Sequence, residues 1–271
     1  MPVRRAADDP RPATLIARGT LPPAMSASTD RSPAVAVAAA AGIGLVAFLV
    51  GLVFVSLAVP LVGSVVPVPE GSPERGALLM IAQYAGILAV AVLYLNASDW
   101  SPSDLRLERP DLRDLAWTVA GVLVLFGTLA ATTLVAEQLG LGVTEHSVAE
   151  SAEDNPAVLL PMIPLSVLVT GPVEELLYRG VVQTRLKEAF SVAPAVAIAA
   201  AIFSVVHVPA YAAGGGLDAT LLTTLAVLFI LGGVLGALYE HTGNLFVPAV
   251  AHGVYNAVTF TNTYLELTGG L

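Results

Sequence analysis

The chain contains no cysteine and a single lysine, Lys187, among 271 residues. The first absence excludes disulfides and thiolate metal sites. The second, together with arginines scattered along the chain and a net charge of −9, leaves no basic stripe for a nucleic-acid partner. Charge of either sign is scarce: 12% of residues are charged and 56% hydrophobic, with a mean hydropathy of +0.79. A soluble core of this length cannot hide so much apolar surface. The composition points to a multi-pass protein of the cell membrane, an all-α polytopic transmembrane helical bundle whose first partner is the lipid bilayer.

Residues 1–33 are rich in Pro, Ala, Ser, Asp and Arg without apolar periodicity and read as a disordered tail. A cleavable signal peptide is excluded there, because the first apolar run starts near Ala34 and continues to Val59. Residues 34–271 read as one integral membrane domain of about seven spans. The expected spans are 34–59, 77–95, 115–135, 157–188, 192–208, 221–239 and 245–265, with polar or Pro/Gly-rich loops between them. With the N-terminus in the cytoplasm, eleven of the twelve Lys and Arg fall inside and only Arg75 outside, an orientation supported by the inner flanking of Trp100 and Trp117. His146 and His241 fall in expected loops and read as surface residues, and Gly232, Gly233 and Gly236 read as a close-packing face.

Three polar interruptions stand out on the later spans. Gly171-Pro-Val-Glu-Glu-Leu-Leu-Tyr-Arg179 sets two carboxylates and a guanidinium in apolar sequence. Phe203-Ser-Val-Val-His207 and His252-Gly-Val-Tyr-Asn256 repeat the anomaly. Ionisable groups in a span are costly and mark function. Glu175 and Arg179, four apart with the acid first, suit an internal ion pair. Glu174 points about 100° away around the helix, with no cation of its own, and is available for chemistry. If 157–188 and 192–208 form a hairpin turning near Ser191, Glu175 and His207 each lie sixteen residues from the apex and share a depth. His252 lies only about two turns into its span, so it meets them only if the hairpin tip projects inward or the helices tilt strongly.

The motifs Glu174-Glu175-Leu-Leu-Tyr-Arg179, Phe203-Ser-Val-Val-His207 and His252-Gly-Val-Tyr-Asn256 resemble, in order and spacing, the EExxxR, FxxxH and HxxxN motifs of the CPBP family. That family of intramembrane endopeptidases includes type II CAAX prenyl proteases and bacteriocin-immunity proteins. The resemblance covers about 157–260, the expected catalytic core. It implies hydrolysis of a peptide bond in a membrane-associated peptide or lipidated protein. Glu174 with His207 would activate water, while His252 and Asn256 would stabilise the oxyanion. Glu175, Arg179 and Phe203 would support the site. Two cofactor states remain open: no metal, or a zinc ion on Glu174, His207 and His252. A transporter using the same carboxylates and a non-catalytic immunity or scaffold protein are the alternatives to an enzyme. The first usually carries paired broken helices in two related halves, which this sequence does not display.

Overall fold

The computed structural model describes residues 32–98, 100, 102–144, 147–212 and 218–270. The expected tail lies outside these residues as far as Arg31, as do His146 and residues 213–217, which follow the fifth expected span. Among the described residues every regular element is helical. The long helices are α1 (Pro33–Gly63), α2 (Pro73–Ala97) and α3 (Leu112–Gln138). A short α4 (Ser147–Asp154) precedes the composite α5 (Pro156–Leu186). Then follow α6 (Val192–Val206), the single turn α7 (Val208–Tyr211), α8 (Ala219–Thr242) and α9 (Phe246–Thr268).

Local chemistry sets these boundaries. Ser72 caps α2 by accepting from the Arg75 amide, Asp111 and Asp114 form a reciprocal capping box on α3, and Asp218 caps α8. Gly243 and Gly269 end α8 and α9 in the left-handed conformation that favours glycine. The unforeseen α4 forms inside the acidic 136–156 loop because Ala152 is buried against Val158, Phe260 and Tyr264.

Five helices, α1, α2, α3, α5 and α8, are long and apolar enough to cross a bilayer, against the seven spans expected. The other two apolar segments are helical where expected but do not meet that measure. At 15 residues α6 reaches only about 22 Å. The 23-residue α9 carries His252, Asn256 and several threonines along its length.

Interhelical contacts sort the loops into two ends. At one end Asn155 donates to the Gly71 carbonyl at 2.9 Å, joining the first loop to the start of α5. At the other end Arg106 and Lys187 both pair with Glu240, at 3.4 and 2.8 Å, and the Leu245 amide donates to the Arg106 carbonyl. The loop before α3 is therefore tucked beneath the ends of α5 and α8. Trp117 packs edge-on against His241 there. His241 is exposed, as expected, but it belongs to the last turn of α8 rather than to a loop. Arg179, counted above with the inner flanking charges, is not at that end. It is 1% exposed, inside the bundle.

Candidate active site

Helix α5 carries the two adjacent carboxylates and is irregular around them. Pro172 has no N–H to offer the preceding turn, and wider π-helical turns occupy Ser166–Thr170 and Leu176–Gln183 on either side of Gly171–Glu175. The backbone of α5 touches that of α9 at this point. A Cβ on Gly171 would lie 2.3 Å from the Ala249 carbonyl oxygen, and one on Gly253 would lie 2.7 Å from that of Ser166. Only glycine permits this crossing, and it sets His252, next to Gly253, against the carboxylates.

The two carboxylates are used differently. Glu175 is fully buried, and its Oε1 accepts from Arg179 Nη1 at 2.9 Å and from His252 Nδ1 at 2.9 Å. Its Oε2, also buried, has no hydrogen-bond partner. The Arg179 guanidinium donates further to the Gly232 carbonyl at 2.9 Å and lies 5.0 Å from the centre of the Phe203 ring. Phe203 also packs on Tyr178, His207 and His252, with centroids at 5.1, 4.4 and 6.0 Å. Glu174 is 5% exposed, and its oxygens lie 3.9 Å from His207 Nε2 and 3.8 Å from His252 Nε2. Tyr84 of α2 donates to Glu174 Oε1 at 2.8 Å. Nothing in the three motifs pointed to Tyr84. The available signal was that Gln83 and Tyr84 are the polar pair in the middle of an otherwise apolar span.

Both imidazoles are oriented by what their Nδ1 atoms meet. The Phe203 carbonyl, 2.7 Å from His207 Nδ1, can only accept, so Nδ1 carries the proton and Nε2 turns a lone pair toward Glu174. The Glu175 carboxylate accepts from His252 Nδ1 and leaves Nε2 on the Glu174 side. Asn256, one turn beyond His252, is half-buried, and its side-chain amide makes no hydrogen bond among the described residues. His207, His252, Glu174, Glu175, Arg179 and Phe203 thus come together, while Asn256 stands beside them uncommitted.

The convergence of His252 comes from the turn before α9. A Cβ on Gly180 would lie 3.6 Å from the Leu245 side chain, although Glu240, five residues before Leu245, pairs with Lys187, seven after Gly180. Residues 243–245 therefore climb back into the bundle, and the α5–α6 tip extends past the start of α9. Asn244 is buried in this turn, donating to Asp114 at 2.9 Å. Two cavities, of about 280 and 360 Å³, lie at this end near Arg185 and Lys187 and do not reach Glu174.

Residues 156–258 match the family model described as type II CAAX prenyl endopeptidase Rce1-like. This segment belongs to the CPBP family. No curated protein and no solved structure matches the chain. All three motifs fall within the CPBP segment, whereas Tyr84 and the α1–α2 pair lie outside it.

Zinc is the family alternative for this set. The donor chemistry suits it, since two imidazole Nε2 atoms face one carboxylate and each Nδ1 is held by an acceptor. The placement does not: Glu174 Oε1 already accepts from Tyr84, and among the described residues no group of three His, Cys, Asp or Glu is placed to hold a metal ion.

Proposed function

We propose that this protein is an intramembrane endopeptidase that hydrolyses a peptide bond in a membrane-associated substrate, with a prenylated CAAX-type tail as the leading candidate. What carries the reading is the unequal use of two neighbouring carboxylates. Glu175 is spent on Arg179 and on orienting His252, whereas Glu174 is bracketed by two imidazole nitrogens just beyond hydrogen-bond reach. A water molecule lying to the side of the 3.9 Å gap can touch both Glu174 and His207.

In the reaction, that water attacks the scissile carbonyl carbon while its proton passes to Glu174. His252, through Nε2, donates to the developing oxyanion, and the free amide of Asn256 supplies a second donor. When the tetrahedral intermediate collapses, the C–N bond breaks and the proton held by Glu174 passes through His207 to the leaving amine. One water is consumed, and no metal is required in this reading. The N-terminal tail faces the cytoplasm, as the distribution of Lys and Arg implies.

The test is cleavage of a farnesylated CAAX peptide by purified protein in proteoliposomes, beside an unprenylated membrane peptide, with metal content measured before and after chelation. Cleavage that survives metal stripping is expected. Loss on stripping with return on adding zinc would overturn the metal-free mechanism. A folded protein that cleaves neither peptide would overturn the hydrolase reading.

A further inference from the structure

Around Glu174, the motif residues come from α5, the end of α6 and α9, all in the C-terminal half. One contact comes from elsewhere: the Tyr84 hydroxyl of α2, 2.8 Å from Oε1. It is the single direct hydrogen bond that the Glu174 side chain makes among the described residues, because both Nε2 atoms lie too far away to bond.

The tyrosine is itself firmly held. Its ring packs against the buried cluster of Ala47, Ile87, Val173, Leu177, Tyr178 and Phe203. Helix α2 is pressed onto α1 so closely that a Cβ on Gly86 would lie 2.6 Å from the Gly51 Cα. The phenol therefore offers its proton from a fixed point. A glutamate side chain has three rotatable bonds, and fixing one oxygen fixes the plane of the carboxylate and the direction of the other. Oε2 is then the oxygen on the His252 side.

We infer that Tyr84 is a positioning residue: it holds Glu174 Oε1 so that the carboxylate meets the attacking water in one orientation, and the N-terminal helix pair thereby completes the site. The inference rests on the hydrolase reading above for its kinetic consequence, but not for the contact. Tyr84 touches no reacting atom. Its effect belongs in kcat, because the contact is made to the base rather than to the substrate.

The experiment compares wild type, Tyr84→Phe and Tyr178→Phe in proteoliposomes. Tyr178 is a buried phenol in the same cluster whose hydroxyl makes no hydrogen bond among the described residues, so its variant controls for deleting an oxygen there. With the farnesylated peptide, Tyr84→Phe should lower kcat about 10- to 100-fold, the range for losing a hydrogen bond to a charged group, with KM within about twofold. Tyr178→Phe should match wild type. A second readout needs no substrate: labelling of Glu174 by a hydrophobic carbodiimide, followed by mass spectrometry. Freed of its donor, Oε1 should react several-fold faster in Tyr84→Phe and at the wild-type rate in Tyr178→Phe. Unchanged labelling, or a change in KM alone, would overturn the inference. Faster labelling in a protein that cleaves no peptide would uphold the positioning contact and overturn the hydrolase reading instead.

Discussion

Replacing each of the paired glutamates by glutamine should give two separable phenotypes. In Glu174→Gln the side chain keeps its shape and can still accept from Tyr84, so the buried structure loses almost nothing. The base is gone, however, and general-base assistance is typically worth about 10² to 10⁴ in rate. The expected protein melts with wild type and hydrolyses at or below a hundredth of its rate. In Glu175→Gln the loss is electrostatic. Arg179 keeps its bond to the Gly232 carbonyl and its place over Phe203 but no longer has a counter-charge, at 1% exposure. Breaking a buried pair outright costs about 3–5 kcal/mol, and the acceptor retained by glutamine lowers that toward about 1–3 kcal/mol. The same carboxylate oxygen orients His252, so activity should also fall about 10- to 100-fold in the fraction that stays folded. Melting of both variants in one detergent, beside initial rates normalised to folded protein, measures both effects. A well-folded Glu174→Gln protein that still hydrolyses, next to an equally well-folded Glu175→Gln protein that does not, would refute the assignment.

Three further outcomes follow from particular contacts. Asn256→Ala should lower kcat about 10² to 10³-fold without lowering the melting temperature, since the amide has no hydrogen bond to lose; a folded variant with wild-type kcat would remove it from the oxyanion site. Gly253→Ala sets a methyl group 2.7 Å from both the Ser166 oxygen and the Val167 Cα, and should destabilise the protein by about 1–3 kcal/mol; unchanged melting would disprove the close crossing of α5 and α9. Reporter fusions after Glu108 should share the cytoplasmic side with the N-terminal tail, and fusions after Gly71 should lie opposite. Finding both loops on one side would break the topology.

Much of the helical layout was readable because long apolar runs leave few alternatives: 77–95 became Pro73–Ala97, and 221–239 became Ala219–Thr242. The pairing of Glu175 with Arg179 was readable too, since i, i+4 geometry is local. What could not be read depended on nonlocal backbone paths. The climb of residues 243–245 brings His252 to depth, and no periodicity encodes it. The π-helical turns of α5 arise from hydrogen-bond register around Pro172 rather than from side-chain pattern. Tyr84 was missed because its one signal, a place beside Gln83 in the middle of an apolar span with no motif, does not say what the pair meets until its neighbours are known. Of the expected glycine face, Gly232 and Gly236 do meet other helices, whereas Gly233 meets nothing within 4 Å.

Glu175, Arg179 and Gln183 of α5 and Lys187, the residue that caps its end, recur every four residues. The last three reach the Gly232 carbonyl, the Gly236 carbonyl and Glu240 of α8, which recur every four residues in turn. During synthesis α5 leaves the ribosome before α8, so for that interval Arg179 has only its partner Glu175 within α5, and Gln183 and Lys187 lack their α8 acceptors. The hairpin of α5 and α6 must wait, either shielded by the insertion machinery or held near the membrane surface, until α8 arrives and engages every rung together. Biogenesis of the protein is thereby tied to its C-terminal third. A substitution that slows insertion of α8 should deplete the whole chain from the membrane, however intact its catalytic groups.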